Sequence, residues 1–188
     1  MGGEKRGMTM DHLNRSGTGE AARLETEHLV CRPLTQGDAQ QVFALTSDPR
    51  VAEYMRFDAH RELGEARALI REETEGGNHG FLILEKPGGN TVGVFAFKRD
   101  EDGEEGAYSL TTFTAPAYWN RGYATELLAA AVGYARDALG AKKLRTYIVS
   151  KNAGSCRVCE KNGFALARTL YFDDLPEGLR IYERGLEA

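Results

Sequence analysis

The fold of this chain is decided by one stretch in its second half, which reads Thr112-Phe-Thr-Ala-Pro-Ala-Tyr-Trp-Asn-Arg-Gly-Tyr-Ala-Thr125. A β-type run ends at Thr114, and Pro116 then forces a turn. A short loop containing Gly122 opens the strongest helical pattern in the chain. Backbone N–H groups at the start of a helix are unpaired and carry the positive end of the helix dipole. This order predicts an anion site suited to a pyrophosphate, although a helix with an ordinary cap would use the same residue types.

The residues of the loop agree with an anion site. Gly122 lets a ligand approach the backbone closely, Arg121 adds a positive charge and Thr125 adds a hydroxyl group. Two rival phosphate motifs are absent from the sequence: it has no G-x-x-x-x-G-K run followed by Ser or Thr, and no G-x-G-x-x-G after a strand. Nucleotide hydrolysis and dinucleotide redox chemistry are therefore disfavoured.

The rest of the chain predicts an α+β fold with the element order β-α-α-β-β-β-α-β-α-β-β. Strands are predicted over residues 29–34, 81–84, 91–98, 105–114, 144–149, 164–172 and 179–186, and the longest helices over 62–74 and 124–139. Asp102-Gly103 predicts a tight hairpin and residues 173–178 predict a turn. Because strands and helices do not alternate regularly, a doubly wound fold is excluded. We expect a single domain with a mixed, mostly antiparallel twisted sheet flanked by about four helices.

Composition narrows the class of protein. The 188 residues suit one domain, and 24 basic against 28 acidic residues give a net charge of -4, which disfavours direct nucleic-acid binding. No run of 18 apolar residues could span a membrane, and the first residues hold no apolar secretion signal. Three cysteines are too few for a secreted disulfide framework, so we expect a cytoplasmic protein. Residues 1–23 are glycine-rich without apolar periodicity, which predicts a disordered tail before a domain over 24–188.

Three motifs resemble one known family. Trp119-Asn-Arg-Gly-Tyr-Ala-Thr-Glu126 is similar to the coenzyme A pyrophosphate loop of the GNAT acetyltransferase superfamily, and most similar to that of its RimJ/RimL-type branch. Leu24-Glu-Thr-Glu-His-Leu-Val-Cys-Arg-Pro-Leu34 resembles the first strand of that branch. Asn152-Ala-Gly-Ser-Cys-Arg-Val-Cys-Glu-Lys-Asn-Gly-Phe164 resembles its late helix. The three motifs occur in the family's order and cover about residues 24–186.

The resemblance implies an N-acetyltransferase that moves acetyl from acetyl-CoA directly to a primary amine, either a protein N-terminal α-amine or a small amine. It also implies binding roles for the loop, whose backbone would hold the pyrophosphate, and for the strand before it, whose backbone would pair with the pantetheine arm. The cofactor-binding residues implied in this way are Phe113, Thr114, Asn120, Arg121, Gly122, Tyr123, Ala124, Thr125 and Asn152. By the same resemblance, the Thr112 N–H would donate to the thioester oxygen and Ser155 would protonate the cofactor sulfur.

Some of these roles have simpler alternatives. Asn152 is also a good helix N-cap, and Ser155 could bond its own backbone in the first helical turn. The general base is open, because many relatives carry a glutamate on the fourth strand where this chain has Tyr108 and Ser109. Tyr108 is one candidate for the base. The exposed-type carboxylates Glu53, Asp173 and Asp174 are others, and a water relay would suffice for an amine of low pKa.

The missing strand glutamate leaves a second hypothesis open, namely a non-catalytic acetyl-CoA-binding module or sensor on the same fold. The pair Cys156 and Cys159 permits a third, a redox protein. A lone C-x-x-C lacks the second ligand pair of a zinc site, so no metal is expected. The expected partners are acetyl-CoA and an amine acceptor, without nucleic acid or membrane, in a monomer or homodimer.

Overall fold

A computed structural model describes residues 23–55, 57–100 and 104–186. Residues 1–22 of the predicted tail and the predicted Asp102-Gly103 turn lie outside these ranges. No helix in the described part of the chain is long and apolar enough to cross a membrane.

Eight strands and five α-helices make up the described chain. The strands are β1 (Leu24–Glu25), β2 (Leu29–Pro33), β3 (His79–Glu85), β4 (Thr91–Arg99), β5 (Ala107–Thr114), β6 (Lys143–Val149), β7 (Ala165–Phe172) and β8 (Leu175–Gly185). The helices are α1 (Ala39–Thr46), α2 (Pro49–Ala52), α3 (Leu63–Thr74), α4 (Tyr123–Leu139) and α5 (Ala153–Lys161). Short 3-10 turns at Gln36–Asp38 and Pro116–Tyr118 precede α1 and the α4 loop. The α+β architecture with a mixed sheet is therefore confirmed.

The strands form one sheet in the order β1-β2-β3-β4-β5-β6-β8-β7. Every neighbouring pair is antiparallel except β5 and β6, which run parallel. The β5–β6 pairing extends from Ala107↔Lys143 to Leu110↔Thr146 and stops there, although both strands continue. The sheet is consequently closed at the start of β5 and β6 and open where they end.

Each face of the sheet is covered by its own hydrophobic core. On one face, α4 and α5 pack against Phe81, Phe95 and other apolar side chains of the central strands. On the other face, α1, α2 and α3 pack against Leu82, Val94 and Phe113. Side chains alternate between faces along each strand, so the apolar runs of β3 and β4 supply both cores.

The closed end of the sheet contains a buried charge cluster, which we call the Arg145 cluster. The guanidinium of Arg145 donates to Asp100 at 2.6 Å, to Glu183 at 2.7 Å and to Glu104 at 3.3 Å. Burial alone would lower the pKa of Arg145, but the hydrogen bonds to Glu183 and Asp100 raise it above its ordinary value. The cluster thus holds β6 against β8 and the end of β4 with a charge that stays protonated.

The structure contains two elements that the sequence analysis did not predict, strand β1 and helix α2, and its last strand begins earlier than predicted. The side chain of Asp48, two residues after the end of α1, accepts the Arg50 N–H and caps helix α2, with Pro49 at the first helical position. The predicted turn over 173–178 is only two residues long, because β8 begins at Leu175. Pro176 lies before the β8–β6 pairing starts at Leu179, so its missing N–H costs no bond to β6.

Candidate active site

The open end of the sheet exposes backbone groups of β5. Ala115 N–H donates to Val92 O, and in an antiparallel ladder only alternate residues face a given neighbour. Phe113 and Thr111 therefore face β4, whereas Thr112 and Thr114 face β6. Because β6 no longer pairs beyond Leu110, the N–H groups of Thr112 and Thr114 point into the opening between the strands.

The loop after β5 brings unpaired N–H groups to the same place. Asn120 has a φ of 60° and Gly122 a φ of 85°, left-handed conformations that turn the chain sharply into α4. The first hydrogen bond of α4 runs from Glu126 N–H to Gly122 O, so the N–H groups of Tyr123, Ala124 and Thr125 have no partner within the helix. A Cβ placed on Gly122 would meet no atom within 4 Å, so the approach to this backbone is open.

Side chains fix the position of this loop. The indole N–H of Trp119 donates to Thr114 O at 3.0 Å and holds the loop against the end of β5. Arg121 pairs with Glu85 at 3.2 Å, and the Tyr123 hydroxyl donates to the same carboxylate at 2.7 Å. The Arg121 side chain is half exposed, so its ion pair with Glu85 contributes little stability in water. Arg121 can therefore exchange this carboxylate for a phosphate at a small cost in free energy.

The start of α5 forms the opposite wall. Asn152 caps this helix, because its Oδ1 accepts the Ser155 N–H at 3.1 Å. Capping uses the amide oxygen, so the NH2 group of Asn152 remains as the donor suited to a ligand carbonyl. The cap bond uses the backbone of Ser155 and not its hydroxyl group. Asn152 can therefore cap α5 and also bind a ligand, and the Ser155 hydroxyl is not needed for capping.

One cavity of about 820 Å³ connects these parts and passes through the gap between β5 and β6. On the α4 and α5 side it is lined by Thr112, Thr114, Ala124, Leu128, Asn152 and Ser155. On the α3 side it is lined by Tyr54, Phe57, Leu69, Glu73, Lys98 and Ser109. A volume of this size is typical of a small-molecule site, and its passage through the sheet gives it access from both faces.

Two of the sequence-predicted site residues lie elsewhere. Tyr108 is absent from the described residues that line the cavity; it belongs to the paired end of β5 and its ring lies near His79, with the ring centroids 6.5 Å apart. The Phe113 backbone faces β4 and its ring packs on Phe57, so it is not available for the pairing expected of it, and the N–H groups that point into the opening are those of Thr112 and Thr114.

The sequence analysis missed a buried carboxylate on the α3 side of the cavity. Glu73 is only 2% exposed, although it lies on a surface helix. One of its oxygens is 3.0 Å from the Lys98 ammonium, and the other, Oε2, is buried without a hydrogen-bond partner among the described residues. Burial raises the pKa of Glu73, and Lys98 offsets only part of that effect. A signal was present, since Ala66, Ile70 and Glu73 fall at i, i+4 and i+7 on one helix face.

The three cysteines are buried thiols. Cys31, Cys156 and Cys159 are free, and burial raises the pKa of Cys159 to about 12. A thiol with such a pKa stays protonated at neutral pH, which disfavours redox chemistry at Cys159. In the described ranges no three His, Cys, Asp or Glu side chains are grouped so that they could hold a metal ion.

A family model described as an acetyltransferase (GNAT) domain matches residues 28–165. The chain belongs to the GNAT acetyltransferase family. One relative of this GNAT chain is the uncharacterized N-acetyltransferase YoaA of Bacillus subtilis (strain 168). It is 26% identical over 170 residues, a match that covers 85% of this chain and 94% of the relative. The chain is thus an acetyltransferase that matches its relative over almost the whole of that protein.

Solved structures with low sequence identity share the fold of this GNAT acetyltransferase. The crystal structure of an acetyltransferase (GNAT family) from Bacillus anthracis has a TM-score of 0.77 at 21% identity, covering 89% of this chain and all of the other. The spermidine N-acetyltransferase from Vibrio cholerae, solved in complex with CoA and spermine, has a TM-score of 0.73 at 16% identity, covering 84% and 95%.

Proposed function

We propose that this protein is an acetyl-CoA-dependent N-acetyltransferase of the RimJ/RimL-type branch that moves acetyl directly to a primary amine. The observation that supports this most strongly is the single cavity that joins the start of α4 to the α3 side through the gap between β5 and β6. A cosubstrate entering from one face and an amine entering from the other would meet at the gap. The resemblance of residues 119–126 to the loop of the RimJ/RimL-type branch supports the assignment to that branch.

The residues of the α4 and α5 side fit acetyl-CoA. The N–H groups of residues 120–125 would hold its pyrophosphate, with the open backbone at Gly122 leaving room for it. The free edge of β5 at Thr114 would pair with the pantetheine arm as an added strand does. The Asn152 NH2 group would donate to a pantetheine carbonyl.

Acetyl-CoA supplies an acetyl group already activated as a thioester, so the protein needs to position it and handle charge. The Thr112 N–H, fixed in the sheet, would donate to the thioester oxygen as negative charge develops there. The Ser155 hydroxyl would donate to the sulfur as the thiolate leaves. Direct transfer requires no covalent bond to the protein.

The test is release of free thiol from acetyl-CoA in the presence of candidate amines, namely peptides, polyamines, amino acids and aminoglycosides. We expect amine-dependent thiol release and a mass increase of one acetyl group on the amine. The alternative, an acetyl-CoA-binding module or sensor, predicts calorimetric binding of acetyl-CoA without thiol release for any amine. Absence of both binding and release would contradict the two proposals together.

We expect Gly122→Val to weaken acetyl-CoA binding at least tenfold, which is about 1.4 kcal/mol. The new side chain would occupy the open space over the backbone that the pyrophosphate needs. Calorimetry with acetyl-CoA measures the effect directly. Unchanged affinity would contradict the site.

A matched control exists at the other end of the same helix. Gly140 also has a left-handed φ, 63°, and also has nothing within 4 Å of an added Cβ. Gly140→Val therefore imposes similar backbone strain, about 1 to 2 kcal/mol, far from the cavity. We expect it to lower the melting temperature while acetyl-CoA affinity stays at the wild-type value.

A further inference from the structure

Among the described residues that line the α3 side of the cavity, carboxylates outnumber lysine and arginine side chains. Lys98 is the one lysine or arginine in that described lining, and it contacts both Glu72, at 2.7 Å, and Glu73, at 3.0 Å. Glu72 has a side chain 65% exposed and is solvated, whereas Glu73 is buried with Oε2 unpartnered among the described residues. A buried carboxylate oxygen without a hydrogen-bond donor is costly, and an ammonium group is the ligand that would relieve the cost.

The surroundings of Glu73 strengthen its attraction for a cation. Tyr54, Phe57 and Leu69 line the same side of the cavity and limit its contact with water. Charge interactions are stronger where water is excluded. A second buried polar atom, Nδ1 of His60, also has no described partner there, so this side of the cavity is prepared for a polar ligand.

Glu73 also lies close to the part of β5 that leads into the gap. Lys98, its ion-pair partner on β4, is paired in register with Ser109 on β5, and both line the cavity. Ser109 lies one residue before Leu110, the last residue of β5 that pairs with β6. A helix carboxylate thus lies beside the strand segment at which the sheet opens.

We propose that Glu73 is the catalytic base of the amine site and that the acceptor is an aliphatic primary amine bound as its ammonium ion. The inference rests on the proposed function. The ammonium gives one proton to the Glu73 carboxylate, and the neutral nitrogen attacks the thioester carbonyl carbon. The N–C bond forms and the C–S bond breaks. The nitrogen loses its second proton as the thiolate gains one, and Glu73 returns the first proton to water.

The pH dependence of kcat/KM distinguishes this role from a structural one. Among the described residues, Lys98 from β4 and Glu72 from α3 act electrostatically on Glu73, and Glu65 from α3 and His60 from the segment before α3 line the same cavity. If Glu73 accepts the proton, kcat/KM stays nearly level from the pKa of the amine down to that of Glu73. If only neutral amine reacts, kcat/KM falls about tenfold for each pH unit below the amine pKa.

The experiment measures thiol release with butylamine and spermidine as aliphatic acceptors and glycinamide as an α-amine. We expect the wild-type protein to acetylate an aliphatic amine near neutral pH and to show a pH range in which kcat/KM is nearly constant. We call this range the level region. Glu73→Gln should lower kcat/KM by about 100-fold and abolish the level region, since general-base catalysis contributes about 100-fold or more. Its acetyl-CoA affinity should remain unchanged.

Two further variants make the test specific. Glu72→Gln removes a carboxylate from the same lysine but leaves Glu73 in place, so the level region should persist. Lys98→Met removes the cation that lowers the pKa of Glu73, so the level region should end at a higher pH. This second variant decides the matter if Glu73→Gln does not fold.

Each outcome has one meaning. Turnover of glycinamide but of neither aliphatic amine overturns the inference and leaves the proposed function standing. The same holds if Glu73→Gln keeps the wild-type pH profile, or if Lys98→Met does not move it. Failure of every amine, in this series and in the wider screen, overturns the proposed function and the inference with it.

Discussion

Arg145→Met should lower the free energy of unfolding by about 3 to 5 kcal/mol, a large share of the total stability of a domain of this size. The substitution keeps an apolar chain in place of the aliphatic part of Arg145 but removes the guanidinium that neutralises Asp100. The Asp100 side chain is 0% exposed, so its carboxylate would remain buried without compensation. Urea unfolding of the two proteins at neutral pH measures the difference.

The surface offers a matched control for this substitution. Arg136 forms an ion pair with the adjacent Asp137 at 2.7 Å, but its side chain is 45% exposed. Arg136→Met should therefore change stability by less than about 1 kcal/mol. The double variant Arg145→Met with Asp100→Leu should recover most of the loss, because no buried charge remains unpaired. A loss for Arg145→Met as small as that for Arg136→Met would contradict a structural role of the cluster.

Ser155→Ala should lower kcat by about 10- to 100-fold, or about 1.4 to 2.7 kcal/mol, with little change in acetyl-CoA affinity. If the hydroxyl donates to the sulfur, it acts mainly as charge develops on the leaving thiolate. An interaction made in the transition state lowers kcat more than it raises KM. Steady-state kinetics at saturating amine, together with calorimetry, separates the two quantities.

The geometry of α5 allows the effect of Ser155→Ala on kcat to be separated from an effect on stability. The Asn152 cap is made to the Ser155 N–H, which alanine retains, so Ser155→Ala should unfold at the wild-type temperature. Asn152→Ala, by contrast, should lose about 1 kcal/mol of stability with the cap. Ser47→Ala, at the end of α1 and away from the cavity, controls for removal of a hydroxyl. A normal kcat in Ser155→Ala would assign catalysis to the backbone donors alone.

The parts of the site that the sequence predicts well are the local ones. Gly122 and the apolar stripe of α4 act within a few residues, so the loop and the start of the helix follow from the chain itself. Asn152 is similar, because a cap is decided within one turn. The order of motifs then predicts the fold class, which the structure and the family match confirm.

Features that depend on segments far apart in the sequence could not be predicted in the same way. Which backbone groups of β5 are free depends on where the β5–β6 pairing ends, and residue types do not encode that register. The burial of Glu73 and its ion pair with Lys98 on β4 depend on segments that lie far apart in the sequence. Tyr108 has a suitable side chain for proton transfer, yet its place at the closed end of β5 removes it from the cavity.

The passage of the cavity through the sheet has a consequence for the evolution of this enzyme. The surface proposed to face the coenzyme is built from α4, α5 and the free edge of β5, whereas the opposite surface is built from α3 and the segment before it. Mutations on the second surface can change which nucleophile is accepted without disturbing recognition of the donor. Selectivity and acyl-donor use are thereby encoded in separate segments of one gene and can diverge independently.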